Sequence, residues 1–234
     1  GVDRFVVALT RADLADDGQR ERARHEVEEL VGSAPLFFVD SVRGEGIEAL
    51  REGLAEALRH TPERDASSPW YLPIDRVFTV KGHGLIATGT LARGTVQEGD
   101  PGLLQPGNIS VRVRSVQSHG QPAARSEAGR RTALNLTGVK AEEVRRGMAV
   151  GQPGSLFESQ VLDVDLRWVH VCKHGTRVRV AIGAEEAIGR IVLPSQVAGD
   201  FSPEGARDAQ LRLETPVACA AGQPLVLRRY SPPD

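Results

Sequence analysis

At 234 residues the chain is longer than one ordinary domain, and its 40% hydrophobic residues are enough to fill two or three small cores. It holds no apolar run of about 18 residues and no charged-then-apolar leader, which argues against a membrane-spanning or exported protein. Cys172 and Cys219 are too few for a disulfide framework and fit a reducing cytoplasm. The formal charge of -2 conceals a basic middle, with 7 acidic against 11 basic residues over 69–158, where residues 1–68 carry 15 against 9. Such a surplus suits a polyanion such as RNA, and equally an ordinary soluble domain.

Residues 4–9 (RFVVAL) read as a buried strand, and 17–31 place Ala23, Val27, Leu30 and Val31 at helical spacing. Residues 36–40 (LFFVD) form a second strand, and 46–59 a second amphipathic helix with Ile47, Leu50, Leu54 and Leu58 on one face. The β-α-β-α order predicts a parallel sheet with crossover helices. Two strands leave such a sheet open at an edge, so this stretch is expected to belong to a larger domain. Polar residues bounded by Pro62 and Pro69 read as a linker over 63–69.

From Trp70 the helical period gives way to short runs at 74–80, 85–91, 111–117, 131–136, 159–168, 176–182, 187–193, 208–214 and 224–229. Short strands punctuated by glycine predict small antiparallel β-barrels, and Gln152-Pro153-Gly154 divides them into two. Gly82 and Gly84 bracket a turn, while Gly89 and Gly94 fall where a strand must bend or admit another backbone. The expected fold class is α/β plus all-β, with segments 1–62, 63–69, 70–154 and 155–234.

Two loops could carry chemistry in the first segment. Thr10-Arg11-Ala12-Asp13 follows a strand, and taken alone Asp13 reads as a turn stabiliser. Asp40-Ser41-Val42-Arg43-Gly44-Glu45-Gly46 follows the next strand. His170, Cys172 and His174 are zinc-type ligands at alternate positions, but same-face strand positions lie about 6.6 Å apart, too far to converge on one ion, so no metal is expected. His83, in a turn, receives no role.

FTVKGHGLIATGTL (78–91) followed by GTVQEGD (94–100) resembles the second domain of translational GTPases of the elongation factor Tu superfamily. IDRVFTVKG (74–82) and GRRTALNLTGVKAEEVRRG (129–147) look most like the selenocysteine-specific elongation factors. KHGTRVRVAIGAEEAIGRIVL (173–193) and the segment from Leu213 to Asp234 resemble the third domain of the same factors. The resemblance implies that 1–62 is the C-terminal part of a P-loop GTPase domain, followed by the two barrels. It assigns Thr10, Arg11 and Asp13 to guanine recognition, with Arg11 where the family has Lys, and Ser41 and Val42 to the other side of the base, with Val42 where the family has Ala.

The chain contains no Gly-x-x-x-x-Gly-Lys-Ser/Thr loop to cradle phosphates or to supply a hydroxyl to Mg²⁺. The resemblance implies GTP as cofactor, but without that loop Mg²⁺ is expected only with a P-loop-bearing N-terminal part, and these residues alone are not expected to hydrolyse GTP. Asp75, Arg76 and Arg131 are implied to line a pocket for the aminoacyl group, where two guanidiniums favour an ionised selenol over a serine hydroxyl and Asp75 orients an arginine or binds the α-amino group. The alternative for these residues is a surface ion pair of little consequence. The implied partners are selenocysteinyl-tRNA, the ribosome at UGA and, through a winged-helix region not present in these residues, an mRNA hairpin, with a monomer in the cytoplasm. The rivals are a general aminoacyl-tRNA carrier and a stand-alone double barrel that binds RNA or protein.

Overall fold

The structure, a computed structural model, describes residues 5–62, 64–82, 84–167, 173–193 and 206–230. His83, His170 and Cys172 lie outside the described residues. The chain divides into two units, Gly1–Glu63 and Arg64–Asp234. No helix among the described residues is long and apolar enough to cross a membrane.

The first unit runs β1 (Val7–Thr10), α1 (Asp17–Val31), β2 (Leu36–Val39) and α2 (Ile47–Arg59), with β1 and β2 paired in parallel. Asp16 starts α1 through a reciprocal capping box with Gln19. Phe37 and Phe38 are consecutive on β2 and so face opposite sides of the sheet. Arg20 and Arg24 of α1 stack over the Phe38 ring at 5.9 and 5.4 Å from its centroid, while Gly53 of α2 lies against the Phe37 ring. The helices therefore cover opposite faces.

The close approach at Gly53 turns α2 away from the face its leucines predict. Ile47, Leu50, Gly53 and Ala57 are half-buried, and Leu54 and Leu58 are 46% and 72% exposed. The expected stripe placed the largest side chains inward, but the glycine lets the helix seat more closely along its small-residue side. Leu30 of α1 is likewise exposed. Ala12, Val39 and Asp40 are the buried residues among those described in this unit.

The second unit begins with β3 (Tyr71–Pro73), β4 (Arg76–Val80), β5 (Gly84–Thr90), β6 (Thr95–Gln97), β7 (Pro101–Gln105), β8 (Ile109–Ser118), β9 (Gln121–Ala123), β10 (Arg125–Glu127), β11 (Arg131–Thr137) and β12 (Ala149–Gly151). The order along the main sheet is β3-β12-β7-β8-β11-β5-β4, with β9 on β8, and β6 and β10 form a separate pair. Both ends of that order belong to one continuous stretch, and this closes the sheet. Ile74 exchanges backbone hydrogen bonds with Met148 and Gly147 beside β12, and the next residue, Asp75, donates its N–H to the Thr88 carbonyl of β5. Ile74 is fully buried among Leu72, Leu91, Leu104, Val113 and Leu134.

The segment read as a linker is tied to this barrel. Gly94 N–H donates to the Asp65 carbonyl at 2.8 Å, the Thr95 hydroxyl donates to the Ala66 carbonyl at 3.2 Å, and Trp70 is buried in the core. The runs expected at 74–80, 85–91, 111–117 and 131–136 correspond to β4, β5, β8 and β11. The sequence pattern did not reveal β3, β6, β7, β9, β10 and β12. Five of these strands have only three residues and the sixth, β7, opens on Pro101-Gly102, so alternation has no length in which to register.

The unit continues with β13 (Phe157–Arg167), β14 (Arg177–Ile182), β15 (Glu185–Val192), β16 (Ala206–Cys219) and β17 (Leu225–Arg229), an antiparallel sheet ordered β13-β16-β15-β14-β17 over its own core of Val178, Val180, Ile191 and Leu211. A third cluster of Tyr71, Ala149, Leu156 and Ala218 joins the two sheets. Arg145 pairs with Glu185 at 2.5 Å, and Gly107 N–H donates to Glu158 at 2.7 Å.

Closure needs room at Gly89, where an added Cβ would lie 2.0 Å from the Pro73 carbonyl oxygen and 2.8 Å from a Leu72 methyl. Gly99, by contrast, has φ +90° but nothing within 4 Å of an added Cβ. Gly89→Ala is expected to lower stability in denaturant unfolding by about 2–4 kcal/mol, and Gly99→Ala by about 1 kcal/mol. Equal losses would overturn the steric account of closure.

Candidate functional site

Parallel pairing places the first candidate. Thr10 is level with Val39 across β1 and β2, so the loops that follow both strands leave from one edge, where open α/β sheets bind ligands. Arg11 has φ 58° and ψ 37°, a left-handed conformation that costs a non-glycine residue about 1–2 kcal/mol. Asp13 lies in the short 3-10 turn Ala12–Leu14, and Arg20 anchors that turn to α1 by donating to the Ala12 carbonyl at 2.7 Å.

The second loop is shaped by Asp40. Its buried carboxylate accepts the backbone N–H groups of Val42 at 2.8 Å and Arg43 at 3.3 Å, and its backbone bridges to Glu45. This is an Asx turn. At the loop's end Gly46 has φ +72°, and an added Cβ would meet the Phe38 carbonyl oxygen at 2.1 Å, so glycine is required there on both counts.

Thr10, Arg11, Asp13, Ser41 and Val42 all present exposed side chains at this edge. Among the described residues none bonds to the Asp13 carboxylate, which leaves it available to paired N–H donors of a guanine. The Val42 side chain is 94% exposed and offers a small apolar surface. An open acceptor beside a small apolar surface suits a planar group that presents paired N–H donors. The loops at 10–13 and 40–46 contain no run of glycines and lysine to hold phosphates.

The second candidate lies on the outside of the first barrel. Asp75 sits at the seam between β3 and β4, Arg76 begins β4 level with Thr88 on β5, and Arg131 begins β11 level with Thr90 on the same strand. One strand thus carries all three candidates on its flanks. Arg131 makes a bidentate ion pair with Asp75, its Nη1 to Oδ2 and its Nη2 to Oδ1, the latter at 2.7 Å. The Thr88 hydroxyl donates to Oδ1 at 3.1 Å.

The Arg131 hydrogen bonds hold the Asp75 carboxyl below its ordinary value. Partial burial opposes them, and the Thr88 hydroxyl and the Arg76 charge add to the lowering. The same hydrogen bond raises Arg131 further. Asp75 is occupied by its own protein partners, an arrangement that orients Arg131. Two guanidiniums against one carboxylate leave a net positive site, and the half-exposed Arg131 keeps N–H donors turned away from Asp75 for a small anion.

Sequence reading missed Arg20, Asp40 and Thr88, because each acts through a neighbour. Only Asp40 left a signal, as a turn-forming residue two positions before a backbone donor. His174 accepts the Leu193 N–H on Nδ1 at 3.3 Å, while the two residues that would join it as metal ligands lie outside the described residues. A cavity of about 570 Å³ lies in the second sheet, lined by Asp163, Asp165, Leu193, Asp208 and Gln210. It contains none of the candidate residues, and its carboxylates disfavour an anion.

No protein-family model matches the chain. A selenocysteine-specific elongation factor from Desulfomicrobium baculatum is 33% identical over 242 residues, covering 99% of this chain and 38% of the relative. The Escherichia coli K12 protein of that name is 38% identical over 151 residues, covering 61% and 24%. Elongation factor Tu 2 of Streptomyces avermitilis is 32% identical over 198 residues, covering 78% and 50%. Among solved structures, a bacterial selenocysteine-specific elongation factor EF-Sec superposes with TM-score 0.84 at 29% identity, over 98% of this chain and 38% of that one. SelB of Methanococcus maripaludis in complex with the GTP analogue GPPNHP gives TM-score 0.83 at 19% identity, over 97% and 55%, a likeness of fold alone.

The fold and these relatives define a protein of the elongation factor Tu superfamily. Within it, the chain belongs to the family of selenocysteine-specific elongation factors. It spans 38% of the length of the Desulfomicrobium relative.

The Asp75 geometry predicts its titration. In carboxyl NMR its midpoint is expected below the ordinary aspartate value, and Arg131→Gln is expected to raise it. A carboxyl lowered on folding contributes stability above its unfolded-state value and loses it as pH falls through the folded one. The variant should therefore flatten that acid dependence, by no more than about 1 kcal/mol for so exposed a pair. An unmoved midpoint would show that the pair does not form in solution.

Proposed function

We propose that this chain is the part of a selenocysteine-specific elongation factor that holds the guanine of GTP on its first unit and the aminoacyl end of selenocysteinyl-tRNA on its first barrel. Delivery to the ribosome at UGA in the cytoplasm follows from the same reading. The observation that carries it is the Asp75–Arg131 bidentate pair beside Arg76. Such a site prefers an anion, and selenocysteine differs from serine near neutral pH chiefly in presenting a selenolate where serine presents a neutral hydroxyl.

Asp13 supports the nucleotide half. An open carboxylate accepts the two N–H donors on one edge of guanine, and adenine leaves it unpaired. Phosphate and Mg²⁺ chemistry belongs to a P-loop, which these residues do not include. When such a loop is present, Mg²⁺ supplies charge neutralisation at the phosphates. The rival reading, a general aminoacyl-tRNA carrier, draws on the relationship to elongation factor Tu and requires no preference for a selenol.

Both halves are tested on the full product of the reading frame that contains this chain. Arg131→Gln is expected to reduce the preference for selenocysteinyl-tRNA over seryl-tRNA by about tenfold or more, measured as protection of the aminoacyl ester from hydrolysis. A parent protein that protects both equally would favour the general carrier. Asp13→Asn replaces an acceptor with a donor, and it is expected to shift nucleotide preference from guanosine to xanthosine by about a hundredfold. Unchanged guanosine binding would remove Asp13 from the site.

A further inference from the structure

We propose that Thr88 is a positioning residue for aminoacyl selectivity, its hydroxyl and carbonyl together setting the Asp75 carboxylate that in turn aims the Arg131 guanidinium. This inference rests on the aminoacyl reading of the Asp75–Arg131 pair. Thr88 lies in the middle of β5, with Arg76 level with it on β4 and Ala133 level with it on β11. No other described residue both faces Arg76 across one ladder and grips Asp75 by main chain and side chain.

The main-chain grip is the Asp75 N–H donating to the Thr88 carbonyl at 2.9 Å. It fixes where the aspartate leaves the backbone. The side-chain grip is the hydroxyl, whose single proton has two acceptors in reach, Asp75 Oδ1 at 3.1 Å and the Arg76 carbonyl at 3.5 Å. The shorter contact is to a charged oxygen and takes the proton. Oδ1 then receives two donors, from Thr88 and from Arg131 Nη2.

That second donor does what the arginine alone cannot. A carboxylate held only by a long, half-exposed guanidinium can rotate about its Cβ–Cγ bond and carry the arginine with it. A donor from β5, which is paired on both sides by β4 and β11, stops the rotation, so the plane of the carboxylate, and hence the direction of the remaining Arg131 N–H donors, is set by the barrel. Discrimination between a selenolate and a hydroxyl depends on that direction, since a misaimed cation still attracts an anion but no longer at hydrogen-bond geometry.

Thr88→Val keeps the shape and strand preference of the side chain and removes only the donor. Thr88→Ser keeps the donor, and Thr88→Ala gives a second hydroxyl-free variant should valine not fold. The valine variant is expected to melt close to the parent, to raise the Asp75 midpoint in carboxyl NMR, and to lower the selenocysteinyl over seryl preference of the full product by about threefold to tenfold. Serine should restore both. An Asp75 midpoint unmoved by valine and alanine would overturn the proposal, and so would a moved midpoint with unchanged preference when Arg131→Gln abolishes that preference. If Arg131→Gln itself leaves the preference intact, the aminoacyl reading fails and the positioning role in selectivity falls with it, while the midpoint still reports whether Thr88 holds Asp75.

Discussion

The second unit depends on one stretch of backbone changing neighbours within a single residue. Ile74 pairs with the segment at β12, Asp75 with β5, and in that step the sheet closes. Alternation then places Ile74 fully inside the core and Asp75 outside at the seam. The position of the charged site is thus a consequence of barrel closure. A slip of one residue would bury a carboxylate and expose an isoleucine, so the hydrophobic core enforces the register that the site requires. Gly89 belongs to the same constraint, since the carbonyl of Pro73 passes where any side chain on β5 would stand.

The ion pair at that seam adds little to stability. Asp75 and Arg131 are partly exposed, and a pair of this kind is worth about 0–1 kcal/mol. Its significance is geometric. The partners are 56 residues apart in sequence, brought together because β4 and β11 both flank β5. A bidentate contact fixes a plane as well as a distance. Rigidity beneath the pair comes from the fully buried residues of β3, β5 and β11, and from the apolar cluster through which the two sheets of the unit share Tyr71 and Ala149. A flexible charged residue becomes a directional one only when its anchor cannot move.

Much of this was legible in the sequence, and the missing part shares a physical cause. Strand-length runs between turn residues announced β4, β5, β8 and β11, and the glycines at 89 and 94 announced close approaches, because these are local requirements written in local residues. Motif resemblance points to Asp75, Arg76 and Arg131, and the structure brings Asp75 and Arg131 into contact with Arg76 acting on the same carboxyl. Thr88 was invisible because a threonine in a strand is ordinary, and its role exists only after two non-neighbouring strands have paired. The exposure of Leu54 and Leu58 was invisible for a related reason. Periodicity predicts which side chains share a face, but the depth of seating against β2 is decided by Gly53 and Phe37, residues from different elements.

Three aspartates show how one functional group is given different chemistry by its surroundings. Asp40 is buried, and its Oδ1 accepts two backbone N–H groups of its own loop, so it is scaffold. Asp75 is half-covered and saturated by an arginine and a threonine, so its charge is spent within the protein and what it exports is the orientation of Arg131. Asp13 is exposed in a 3-10 turn held from beneath by Arg20, and among the described residues its oxygens have no protein partner. Recognition by accepting hydrogen bonds needs an unfilled carboxylate, and recognition by aiming a cation needs a filled one. In the proposed reading, the loop edge of the first unit and the barrel seam are built on those opposite conditions, so a single rule relating carboxylates to function would misread one of them.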